Sequence, residues 1–68
     1  MNYEKLKSAV ARSGLKRNYI AQKIGISDAV LSDKMNGRSQ WKVSEAAAFC
    51  SALGLSRKQR EEIFFDHE

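Results

Sequence analysis

A chain of 68 residues, against about 100 to 150 for a typical domain, has room for one small core and one domain. With 43% hydrophobic and 29% charged residues it is neither a disordered polyelectrolyte nor a membrane span, and its single cysteine excludes the disulfide-stapled secreted miniproteins. The net charge of +4 is unevenly placed: nine Lys or Arg face three acids up to Lys42, whereas three bases face five acids from Val43 onward. The first two thirds therefore offer a face for a polyanion such as DNA, or a merely solvated basic surface.

Without proline, the chain is punctuated by glycine and serine. Leu6, Ala9, Val10 and Ser13 fall at helical spacing and predict a first helix from Tyr3 to Ser13, closed by Gly14 in a left-handed conformation. A second helix follows from about Arg17 to Ile24, with Ile20, Ala21 and Ile24 on one face, and stops at Gly25. Ser27 suits the N-cap of a third helix over 28–36, Asp28 suits the positive end of its dipole, and Gly37 closes it. Beyond the polar loop that holds Trp41, Ser44 is the expected cap of a fourth helix through Ala46, Phe49, Cys50 and Leu53 to Gly54. Ser56 and Gln59 have the spacing of a capping box and start a fifth helix that carries Ile63, Phe64 and Phe65. No segment alternates with period two, so the expected fold is all-α: a single compact five-helix bundle over 1–68.

Residues 17–36 join two short helices through Gly25, Ile26 and Ser27. A helix-turn-helix turns through about three or four residues, which asks for a glycine at the corner and a small residue such as Ala21 where the helices meet. Ile20, Ile24, Ile26 and Leu31 would fill the wedge; an ordinary helical hairpin is the plainer alternative. The stretch IAQKIGISDAVLSDKMNGR resembles the Cro and repressor helix-turn-helix family of phage and bacterial regulators. WKVSEAAAFCSALGLS resembles that family's fourth helix, and REEIFF the ending of small phage-encoded repressor-like proteins. The resemblance implies a lambda-repressor-like domain whose third helix enters the major groove of double-stranded DNA, acting as a weak homodimer on a palindromic operator in transcription regulation.

On a wheel of about 100° per residue, Leu31, Met35, Lys34 and Val30 form one arc of the third helix, and Ala29, Ser32, Asp33 and Asn36 lie opposite. With Asp28 at the helix start, the candidate base readers are Asp28, Ala29, Ser32 and Asp33. Ala29 suits a thymine methyl, Ser32 either kind of base, and a carboxylate the N4 amine of cytosine. Two acids depart from the Gln, Arg and Asn often found there; Asp28 also fits a role at the helix N-terminus, and Asp33 one in solvent or a local pair. Candidate phosphate contacts are Arg17 and Asn18 at the start of the second helix, and Arg38, Ser39, Gln40 and Lys42 in the following loop. Lys34 joins them if its stem packs while its ammonium reaches a phosphate. Trp41 suits the core beneath the loop better than a sugar-phosphate edge.

Catalysis finds no constellation: His67 stands at the end of the chain between Asp66 and Glu68, Cys50 falls on an apolar stripe, and Glu61 and Glu62 are neighbours about 100° apart. No enzyme activity, cofactor, metal or small-molecule ligand is expected. No apolar run reaches about 18 residues and MNYEKLKSAV has no signal-peptide core, so no membrane association and a cytoplasmic location are expected. The competing function is a protein-binding module on the same fold, anti-repressor or antitoxin-like. Three bulky residues in succession, Ile63, Phe64 and Phe65, cannot share a narrow stripe, which makes Phe64 and Phe65 candidates for a dimer interface unless a wide seam takes them all.

Overall fold

A computed structural model describes residues 1–65 and contains five helices: α1 (Tyr3–Ser13), α2 (Arg17–Ile24), α3 (Asp28–Met35), α4 (Val43–Leu53) and α5 (Arg57–Phe64). No strand occurs among the described residues. Asp66, His67 and Glu68 lie outside them.

Local chemistry sets most of the helix ends. The Asn2 side chain accepts from the Lys5 N–H at the start of α1 (3.0 Å), and Ser27 Oγ accepts from the Val30 N–H at the start of α3 (3.1 Å). At α5 the capping box is complete, with Ser56 Oγ accepting from the Gln59 N–H and Gln59 Oε1 from the Ser56 N–H. Gly25, at φ +90°, reverses the chain after α2, and the Ile26 N–H donates back to the Ala21 carbonyl (3.0 Å).

Two boundaries differ from expectation. The third helix ends at Met35 rather than residue 36, because Asn36 already leaves helical geometry ahead of the left-handed Gly37. The fourth begins at Val43, so Ser44 lies inside it; Lys42 takes the cap position, and its N–H is satisfied by Glu45 Oε1 at 2.9 Å.

Every helix contributes to one core: Leu6 from α1, Ile20 and Ala21 from α2, Leu31 from α3, Phe49 and Cys50 from α4, and Ile63 from α5. α2 packs against both α3 and α4, while α1 meets α3, α4 and α5. Small Ala21 is buried in this core, as a tight helix crossing requires. Under the loop between α3 and α4, the rings of Trp41, Phe49 and Phe64 meet edge to face with centroids 5.1 to 5.8 Å apart. The three bulky residues at the end of α5 thus divide, with Ile63 buried, Phe64 half-buried in the aromatic cluster and Phe65 53% exposed.

Candidate nucleic-acid interface

The outward face of α3 is built from what its packing leaves uncovered. Leu31 and Lys34 point inward and Met35 is half-buried, whereas Ala29 and Val30 are exposed and Asp28, Ser32 and Asp33 lie between. Val30 is a correction to the wheel, which placed it on the inner arc. It sits at the edge of that arc, and at 39% exposure it joins Ala29 on the open side.

Both acids of this face are paired with arginines expected at phosphates. Arg17 donates to Asp28 through Nε (2.8 Å to Oδ1) and Nη2 (3.0 Å to Oδ2), a bidentate contact bridging the first turns of α2 and α3. That hydrogen-bonded contact holds the Asp28 carboxyl below the ordinary range and raises the Arg17 guanidinium above its own. At the other end of α3, Arg38 Nη1 lies 3.4 Å from Asp33 Oδ1, and the Arg38 backbone N–H closes the helix on the Asp33 carbonyl (2.8 Å). Both pairs are open to solvent and so add little to stability. Their effect is electrostatic: the negative charges that would oppose a DNA backbone are each accompanied by a cation.

Lys34 is the clearest departure from the reading of the sequence. Only 4% exposed, its Nζ lies 2.9 Å from Glu45 Oε1 and donates to the Gln40 carbonyl at 2.6 Å. The ammonium has turned into the protein, because Glu45 and a loop carbonyl offer an anion and an acceptor there, and it is not available to a phosphate. The Lys42 N–H and then Lys34 hold the Glu45 carboxyl below the ordinary glutamate range. Trp41 Nε1 donates to the Lys34 carbonyl (3.2 Å) while its ring covers the core, as expected for a packing tryptophan. Gln40, through its carbonyl, and Trp41, through its indole, are thereby tied to α3, and the Lys42 N–H to Glu45 of α4, while the side chains of Arg38, Gln40 and Lys42 stay exposed and that of Ser39 half-exposed. Asn18 is exposed at the start of α2, where Lys16 supplies no side-chain cap for the leading N–H groups.

A family model described as a helix-turn-helix domain matches residues 4–63. The chain belongs to the helix-turn-helix domain family. No curated protein and no solved structure matches it significantly. Within this helix-turn-helix domain α2 and α3, joined through Gly25, Ile26 and Ser27, are the two helices of the motif. The sites that sequence reading missed are Val30 on the open face and Glu45 beneath it. The only available signal for Glu45 was that it is the sole acid of α4.

Elsewhere the helix-turn-helix domain offers little chemistry. Among the described residues no cluster of His, Cys, Asp or Glu is arranged to hold a metal, and no helix is long and apolar enough to cross a membrane. Cys50 is buried, and burial pushes its thiol pKa up. Phe64, one of the two residues expected at a dimer interface, has its ring against Trp41 and Phe49; Phe65 is the one left open.

Proposed function

We propose that this helix-turn-helix domain is a sequence-specific, double-stranded-DNA-binding regulator of transcription, Cro-like or repressor-like, whose α3 reads the major groove. The observation that carries this reading is that each acid of the reading helix is bridged to an arginine, at opposite ends of α3. Arg17 with Asn18 on one side, and Arg38, Ser39, Gln40 and Lys42 on the other, then hold the phosphates that flank the groove. Asp28, Ala29, Ser32 and Asp33, with Val30 added, face the bases. A homodimer on a palindromic operator supplies the specificity that one short helix lacks, since paired reading helices about 34 Å apart engage two half-sites. Exposed Phe65 is the candidate contact for that dimer.

A salt titration of duplex binding tests the reading. Affinity falls steeply as salt rises; Arg38→Ala weakens binding to all sequences alike and lowers the slope of the log-log salt dependence by about 1, whereas Ser32→Ala alters preference at one operator position. Undetectable binding at low salt would defeat it in favour of a protein-binding module, for which the exposure of Val43 (85%) and Phe65 speaks.

A further inference from the structure

The polar groups on the open face of α3 are unusual in sign. Its only basic residue is Lys34, whose ammonium is buried on Glu45 and Gln40, so α3 itself presents no cation to the O6 and N7 acceptors of guanine. What it presents instead is acceptors and methyl groups. The two carboxylates are not equivalent. Asp28 has both oxygens engaged by Arg17, but Asp33 is held through Oδ1 alone, by one long contact to Arg38, and its Oδ2 is free to accept. Val30 and Ala29 stand three and four residues before Asp33, on the same side of the helix, and both are exposed. A carboxylate oxygen thus neighbours two apolar side chains on one reading surface.

In the major groove the exocyclic amines of cytosine and adenine are the donors, and the C5 methyl of thymine is the apolar mark. Cytosine C5 adjoins the carbon that bears its N4 amine, so a methyl at C5 sits beside the donor on the same edge. Thymine has the methyl but offers O4, an acceptor that a carboxylate repels; cytosine has the amine without the methyl. We propose that α3 selects half-sites by exocyclic amines and C5 methyls, and that Asp33 with Val30 and Ala29 forms a site for 5-methylcytosine, so that methylation of the operator strengthens binding. This rests on the DNA-binding reading above.

The experiment begins with the full chain and a random duplex library. From the selected site, the position that Asp33→Asn alters is synthesised with cytosine, 5-methylcytosine or thymine, and affinities are compared at fixed salt. The expected order is 5-methylcytosine, then cytosine, then thymine, with about a fourfold gain on methylation for one newly buried methyl. Val30→Ala shrinks the ratio between methylated and unmethylated sites, and Asp33→Asn removes the penalty against thymine because an amide can donate to O4; far-ultraviolet circular dichroism confirms that both variants remain helical. Specific binding that methylation leaves unchanged or weakens at every cytosine of the half-site overturns the proposal and leaves the DNA-binding reading standing. Absence of any duplex binding at low salt overturns both.

Discussion

Replacing Lys34 with methionine keeps a long unbranched stem in the same space and deletes the ammonium. Glu45, whose side chain is 14% exposed, then loses its cation but keeps the Lys42 N–H, and the Gln40 carbonyl loses its donor. Breaking a buried pair from one side costs about 3–5 kcal/mol, and the remaining donor and partial exposure of Glu45 place this change near the lower end, at about 3 kcal/mol. Domains have about 0.05–0.15 kcal/mol of stability per residue, so the loss is a large part of the roughly 3–10 kcal/mol available to a chain of this length. At about 4–8 °C per kcal/mol, the melting temperature falls by roughly 12–24 °C. The double variant Lys34→Met, Glu45→Gln separates a missing partner from a missing salt bridge, because the amide oxygen still accepts from Lys42 without a stranded charge. It should return to within about 1.5 kcal/mol of the parent protein, as apolar replacement of buried ion pairs often does. Urea and thermal unfolding followed by circular dichroism measure both. A single variant as stable as the parent, or a double variant as unstable as the single, would refute the assignment of Lys34 as an internal, paired cation.

Three further outcomes follow from the same structure. Glu45 has a lowered pKa in the folded protein, so its contribution is fully present above the ordinary glutamate value of about 4.3 and is lost as the pH falls through the folded value; acid unfolding should therefore be less steep for Glu45→Gln. An alanine at Gly25 meets open space and bears only the left-handed penalty of about 1–2 kcal/mol, whereas a Cβ at Gly37 also lies 3.2 Å from the Tyr3 ring, so Gly37→Ala unfolds at lower urea and Tyr3→Ala narrows the difference. Buried Cys50, with its raised pKa, reacts with iodoacetamide far more slowly in the native protein than in urea; equal rates would contradict its place in the core.

Features written in neighbouring residues were legible in the sequence. Glycine after a periodic run, serine before one and the Ser56 and Gln59 pair mark boundaries because the bonds they make span no more than a few residues. The start of α4 was misread for the opposite reason. Ser44 is a good capping residue by type, but Glu45 fixes the cap two residues earlier, at Lys42, and Glu45 is itself held by Lys34 from another helix. Neither periodicity nor propensity contains that pairing. The bridge from Arg17 to Asp28 crosses the turn of the motif and was likewise out of reach, although each residue had been singled out separately. Val30 shows the limit of a wheel, which gives an angle but not how wide an arc the neighbouring helices cover.

The bridges from Arg17 to Asp28 and from Arg38 to Asp33 also bear on how such a regulator can diverge. In the proposed interface each joins a residue that would face bases to one that would face phosphates, so a mutation that changes what α3 reads simultaneously frees or strands an arginine at the rim. Altered preference and altered overall affinity are inherited together. A lineage moving to a new operator has to change these positions as couples, Asp28 with Arg17 and Asp33 with Arg38, whereas Ala29, Val30 and Ser32 can vary singly. Duplicated copies of the gene would drift apart first at those three positions.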